Sequence, residues 1–346
     1  MSITLIATGG TIASTRGSDG ALTATLSGQD LLGTAGRLDA EVEVQVVDLS
    51  VPGSWNLSTA MACSVADHAR AALERGAEGV VVTHGTDVLE ETAWLAELLA
   101  RPATARGALV FTGAMRHADE LGGDGPRNLS DALRVAADPA ARDRGALVCV
   151  NGQLHHARWV VKTHASAICT FASPDRSPIG SVDEQRVRFV LDPPPPPPPP
   201  RVDETGVSVL GGAVPILASH WDVDPELIPW SLDRGAAGIV VEAGGAGNVN
   251  GGLVDGIETA LASGIPVVIT SRCRAGEVTP TYGGRGGFAT LAKLGAIASH
   301  GLSAGKARLA LRVALGIDPD VGAVAAYFDA LGDGDGDGDG GSVERT

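Results

Sequence analysis

Along the first 150 residues, short apolar runs alternate with longer stretches in which apolar positions recur every three or four residues. The short runs are residues 3–7 (ITLIA), 42–48 (VEVQVVD), 79–83 (GVVVT), 108–112 (ALVFT) and 145–150 (GALVCV), and they read as buried strands. Between them, 58–75, 90–100 and 127–137 carry the helical period. This alternation predicts an α/β fold: a larger N-terminal domain whose mostly parallel sheet is flanked by helices. Chemistry in such sheets collects at the carboxyl ends of the strands, so the loops after residues 7, 48, 83 and 112 are the first places to look.

The pattern breaks at residues 193–200, which are eight consecutive prolines. Such a run is expected to form polyproline II, roughly 25 Å long at about 3.1 Å per residue, and to serve as a stiff, exposed connection. The alternation then resumes, with strands near 213–217, 237–241 and 265–269 and helices near 224–234, 250–262, 303–315 and 319–331. The predicted division is an N-terminal α/β catalytic domain over 1–192, a proline-rich linker over 193–212, and a smaller C-terminal α/β domain over 213–331. Residues 332–346, rich in Gly and Asp, are expected to be a disordered acidic tail.

Composition narrows the partners. The formal charge is −15 and no basic stripe interrupts it, which argues against nucleic acid and anionic membrane and for a small polar substrate. Cys63, Cys149, Cys169 and Cys273 have no CxxC or metal-like spacing, and reduced core cysteines are favoured over a disulfide pair. The N-terminus lacks a basic region and ITLIA is too short for a signal or a span, so the sequence as given reads as cytoplasmic. His84, His155, His156 and His164 have no carboxylate or cysteine at ligand spacing, and no metal or cofactor is expected. His155 and His156 fall on a predicted turn.

Two strand-end loops carry candidate chemistry. ATGGTIAS (7–14) has the glycines of a phosphate turn but fits neither GxGxxG nor GxxxxGK[ST], and it offers a hydroxyl at Thr11 instead. THGTDVLEETAWLAELL (83–99) runs from a strand end into a helix, with Thr86 and Asp87 in the turn. Read alone, Asp87 could be an N-cap and Thr86 a turn residue.

Together, TGGTIAS and THGTDVLEET resemble the two signature segments of the bacterial-type L-asparaginases. GAMR (113–116), DGPRNL (124–129), VVKTHA (160–165) and GAGN (245–248) follow in the family's order. The resemblance implies a cofactor-independent threonine amidohydrolase that converts L-asparagine to L-aspartate and ammonia. Thr11 would be the nucleophile and Thr86, Asp87 and Lys162 the supporting catalytic group, Lys162 being transiently neutral to take a proton. Asp87 would bind the substrate's α-ammonium and Ser54, beside Trp55, its α-carboxylate. Backbone N–H groups at Thr86 and around Ala114 would meet the oxyanion. Asn248 would come from a neighbouring subunit, since the family assembles as intimate homodimers, commonly paired into homotetramers with shared active sites.

Three positions depart from the family pattern. Leu22 stands where a lid tyrosine is common, so either the 12–27 lid closes without one or Tyr282 reaches in. Trp55 replaces a common glutamine and is expected to narrow the pocket against glutamine. No acid between 276 and 294 clearly matches the family's C-terminal partner, Glu277 being the nearest. The competing functions are a broader glutaminase-asparaginase and a catalytically silent amino-acid sensor of the same fold.

Overall fold

The structure, a computed structural model, describes residues 1–36, 42–49, 53–204 and 207–332. All but Gly332 of the expected acidic tail therefore lies outside the described residues. In chain order the N-terminal part contains β1 (Ser2–Ala7), β2 (Ser14–Arg16), β3 (Leu22–Ala24), α1 (Gly28–Thr34), β4 (Glu43–Asp48), α2 (Thr59–Glu74) and β5 (Gly79–Thr83). It continues with α3 (Leu89–Ala100), β6 (Ala108–Thr112), α4 (Gly125–Ala137), β7 (Ala146–Val150) and β8 (Gln153–His156). Four short strands close it: β9 (Val161–Lys162), β10 (Phe171–Ala172), β11 (Gly180–Val182) and β12 (Val187–Phe189). The C-terminal part runs β13 (Ile216–Ala218), α5 (Leu227–Asp233), β14 (Ile239–Ala243), α6 (Val254–Ala262), β15 (Val267–Ser271), α7 (Phe288–Lys293), β16 (Ile297–Ala298), α8 (Ala304–Ile317) and α9 (Val321–Ala330).

Eight strands form one sheet in the order β12-β11-β8-β7-β6-β5-β1-β4. The five from β4 to β7 are parallel; β8, β11 and β12 extend the sheet antiparallel. Every residue of β5, β6 and β7 is buried, as their unbroken Val, Leu, Ala and Phe content requires of strands with helices on both faces. The smaller sheet, β13-β14-β15-β16, is wholly parallel. Helices α3 and α8 pack on each other, and their buried faces join residues of both sheets into one apolar core. The α/β architecture expected from the pattern, large mostly parallel sheet plus smaller α/β unit, is the one observed.

Several details correct the expectation. The strand placed at 213–217 begins only at Ile216, because Pro215 has no N–H to give to a ladder and only its carbonyl is used, by Val240. The helix placed at 250–262 starts as a 3₁₀ turn, Gly251–Leu253, whose Gly252 N–H donates to the Asn250 side chain. The proline run is not a free rod. Pro194 and Pro197 are buried and Pro200 is half-buried, so prolines three apart, the repeat expected of polyproline II, lie against the protein. Cys169 and Cys273 are exposed rather than in the core, and all four cysteines are free.

His155 and His156 sit in β8, not in a turn, and both are buried. His155 Nδ1 is 2.9 Å from Ser173 Oγ, and His156 Nδ1 accepts from the Arg158 N–H at 3.1 Å. Burial pulls His155 down to about 4, with the charge of Lys306 acting in the same direction. The unfolded chain therefore takes up this proton first, and stability is lost as the pH falls from about 6.5 toward about 4. From pH 7 to pH 5 the loss is about 2 kcal/mol for this histidine. In urea titrations at the two pH values, His155→Gln should shrink the stability difference by that amount; an unchanged difference would show His155 is not a source of the acid sensitivity.

Candidate active site

Strands β4, β1, β5 and β6 are parallel neighbours, so the loops leaving their carboxyl ends open along one edge of the sheet. After β1, Thr8 gives both its N–H and its hydroxyl to the Thr83 carbonyl, pinning the first loop to the end of β5. Gly10 then adopts φ +86°, a left-handed value that glycine accepts freely, and Thr11 opens a 3₁₀ turn, Thr11–Ala13. A Cβ on Gly10 would stand 2.5 Å from the Cα of Gly85, so the loops after β1 and β5 touch backbone to backbone. Thr11 and Thr86 each follow directly on that contact. A Cβ on Gly85 would in turn stand 2.7 Å from Cβ and Oγ of Ser54, which brings in the loop after β4.

The loop after β6 is fixed from α4. The Asp124 carboxylate accepts from the Met115 N–H at 3.0 Å and the Arg116 N–H at 2.9 Å. Asn128 donates to the Gly113 carbonyl at 2.9 Å and to Asp124 at 3.1 Å, and its own oxygen accepts from the Asn151 N–H. Ala114 is buried between these anchors. Among the described residues, neither the Ala114 nor the Thr86 N–H donates to another part of the chain. The Thr86 methyl lies against Gly113, so the fourth loop borders the same point.

Lys162 enters on β9. Its Nζ donates to Thr86 Oγ1 at 2.9 Å and to Asp87 Oδ1 at 2.8 Å. The ammonium side chain is 14% exposed and the carboxylate 52%, leaving one face of Asp87 open to a ligand. The Lys162 N–H is held by the Glu90 carboxylate and its carbonyl by Arg274 at 2.8 Å. His84 stiffens the turn before Thr86 by donating from Nδ1 to the Gly85 carbonyl at 2.8 Å. Burial pulls His84 down to about 4, so its imidazole is neutral at pH 7.

Among the hydroxyls here, those of Thr8 and Ser14 donate to backbone carbonyls and Thr86 accepts from Lys162. The hydroxyls of Thr11 and Ser54 have no hydrogen-bond partner among the described residues. Trp55 is 72% exposed, with its ring folded over Gly53 beside Ser54. Asn248 stands apart in the small domain: its backbone bridges to Gly244 and its side-chain oxygen accepts from the Phe288 N–H at 3.3 Å. Among the described residues it makes no hydrogen bond to the four loops within one chain.

The expected lid is the β2–β3 hairpin. Ala13 accepts from the N–H groups of Thr25 and Leu26, and Arg16 N–H donates to the Asp119 carboxylate. Leu22 is exposed on β3 opposite Arg16, and Tyr282 is exposed on the small domain. Among the described residues no group of three or more His, Cys, Asp or Glu side chains is placed to hold a metal ion, and no helix is long and apolar enough to cross a membrane. Sequence reasoning gave no role to Asp124, Asn128 or Glu90. The spacing of Asp124 and Asn128, one turn apart at a helix start, was the signal available for the first two.

Comparison with known proteins bears on this geometry. Residues 2–195 match the family model "Asparaginase, N-terminal", and residues 213–328 match "Glutaminase/Asparaginase C-terminal domain". A probable L-asparaginase of Deinococcus radiodurans is 39% identical over 249 residues, covering 71% of this chain and 73% of that one. A probable periplasmic L-asparaginase of Haemophilus influenzae is 32% identical over 334 residues, 94% of this chain and 92% of its own. The crystal structure of a probable cytoplasmic L-asparaginase from Campylobacter jejuni superposes with a TM-score of 0.81 at 28% identity, covering 94% of this chain and 98% of that one.

Proposed function

The chain belongs to the asparaginase family, and on that premise we propose that it hydrolyses L-asparagine to L-aspartate and ammonia through an acyl-enzyme on Thr11. One observation carries the reading: four strand-end loops meet at Gly10 and Gly85, with the unengaged Thr11 on one loop and a Lys162–Thr86 pair on another.

The α-ammonium of asparagine takes the open face of Asp87, and Ser54 holds its α-carboxylate. The arriving ammonium takes up the Asp87 carboxylate that Lys162 otherwise pairs with, leaving the lysine amine to serve as the base. Thr11 Oγ then attacks the side-chain amide carbon while its proton passes through Thr86 to Lys162. The carbonyl oxygen takes up negative charge opposite the free N–H groups of Thr86 and Ala114, each such donor being worth about 3 kcal/mol in the transition state. Collapse breaks the C–N bond, the proton leaves with the nitrogen as ammonia, and water hydrolyses the ester, returning a proton to Thr11. Nothing in these steps requires a cofactor.

Asn248 fits as a residue lent to the site of a second copy, in a homodimer or homotetramer. The proposed domain boundary in the proline-rich stretch 193–212 is supported by an N-terminal match that ends at residue 195 and a C-terminal match that begins at 213. The silent-sensor alternative is disfavoured because Thr11, Thr86, Asp87 and Lys162 are all present.

Ammonia release by the purified chain tests this reading. Asparagine should be turned over without added metal; a folded chain that releases none from asparagine or glutamine is the sensor instead. Trp55 adds bulk beside Ser54, where glutamine needs room for one more methylene. Trp55→Gln should therefore raise glutamine turnover relative to asparagine, by up to about tenfold, since one methylene discriminates by only ~1–3 kcal/mol. An unaltered ratio would remove Trp55 from the account of specificity.

A further inference from the structure

Lysine is scarce in this chain, three residues against 23 arginines. Lys162 is in the site and Lys293 is exposed on α7. The third, Lys306, is buried in the first turn of α8, on the small domain. Its Nζ donates to three carbonyls: Ala157 at 2.8 Å, Arg158 at 3.0 Å and Val160 at 2.5 Å. All three belong to the turn that leads directly into β9 and Lys162. An ammonium has three donors on one tetrahedral centre and so can cap converging carbonyls; the flat fork of a guanidinium cannot.

The strand needs such support. β9 has two residues and pairs only with the two-residue β10, a ladder too short to hold itself in place. Without outside anchors, the Nζ to Thr86 distance would depend on a loose loop. Lys306 is also tied to the other side of the site, because its own carbonyl accepts from Trp94 Nε1 on α3, the helix that carries Glu90. Burial pulls Lys306 down to about 8; Glu90 and Glu91 act against that shift and Arg158 acts with it. An amine kept at such a desolvation cost, in a chain that otherwise prefers arginine, is retained for its bonds.

We propose that Lys306 is a positioning residue for Lys162: from the small domain it clamps the 157–160 turn and so sets the catalytic amine against Thr86. This rests on the role given to Lys162 above, and the test separates the two. Lys306→Met keeps the stem and removes all three donors. With L-asparagine, kcat should fall about 10–100-fold, the cost of a displacement on the order of 1 Å, while KM stays within about threefold. In a Lys162→Met background the same change should cost nothing further, because there is no amine left to position.

Parental kcat in a folded Lys306→Met chain overturns the clamp, as does an equal loss in both backgrounds, which would mean general loosening. If Lys162→Met alone keeps parental turnover, it is the proposed mechanism that fails. Lys306→Gln, with one amide to donate, should fold and fall between parent and Lys306→Met. Failure of both variants to fold would also refute a purely positional role.

Discussion

Thr11→Ala is expected to lower kcat on L-asparagine by roughly three to five orders of magnitude while leaving the chain folded. The change removes the attacking oxygen, and three of the neighbouring hydroxyls are already engaged: Thr8 and Ser14 donate to carbonyls and Thr86 accepts from Lys162. Among the described residues Ser54 is the one other unengaged hydroxyl beside the loop contact, and it is buried against Gly85. The two threonine and serine variants therefore separate the roles. Ser54→Ala should raise KM with a smaller change in kcat, as expected of a group that binds the substrate's carboxylate in ground and transition states alike. Stability should barely change in Thr11→Ala, within about 0.5 kcal/mol, because the hydroxyl is half-exposed and makes no hydrogen bond to lose. Ammonia release, with thermal unfolding as the control, reads both. A folded Thr11→Ala chain at near-parental turnover, or a Ser54→Ala chain that is the dead one, would reassign the nucleophile.

The sequence disclosed the parts of the fold in which one local rule dominates. β5, β6 and β7 are unbroken apolar runs, and α2, α3 and α4 carry a clear helical period, so their placement follows from burial alone. Between residues 151 and 190 the strands are two to four residues long, shorter than any period can mark, and polar pairs such as His155-His156 hide their burial. The proline run shows the same limit from the other side: eight prolines mark the break in the pattern, but not which of them are covered. In the site, the loops of Thr11 and Thr86 stood out as glycine-bearing strand ends, whereas the supports of Lys162 did not. GKARLALRVALGI reads as an amphipathic helix whose lysine belongs in water; only the packing of α8 on α3 puts Lys306 inside. Contacts made across 140 or more residues leave no trace in local pattern, and these hold the turn that leads into Lys162.

The second large effect is expected at the proton path. Lys162→Met and Thr86→Ala should each lower kcat by roughly two to four orders of magnitude, and the double variant should be no worse than the poorer single. The reason is geometric. Lys162 Nζ donates to Thr86 Oγ1 at 2.9 Å, and in the proposed mechanism the route from Thr11 to the amine passes through that one hydroxyl. A path cut once gains nothing from a second cut, so the two losses should fail to add by nearly the whole of the smaller one. Asp87→Ala provides the contrast, since that carboxylate touches the same amine at 2.8 Å but is assigned to the substrate's ammonium. Its loss should raise KM strongly, and it should remain sensitive to Lys162→Met, because binding and proton transfer are then separate injuries. Additive losses for Thr86 and Lys162 would mean that they act in different steps, with Thr86 serving through its N–H rather than its hydroxyl. In that case Thr86→Ser, which restores the oxygen without the methyl that rests on Gly113, would not recover turnover; recovery by serine together with non-additivity is what a single relay requires.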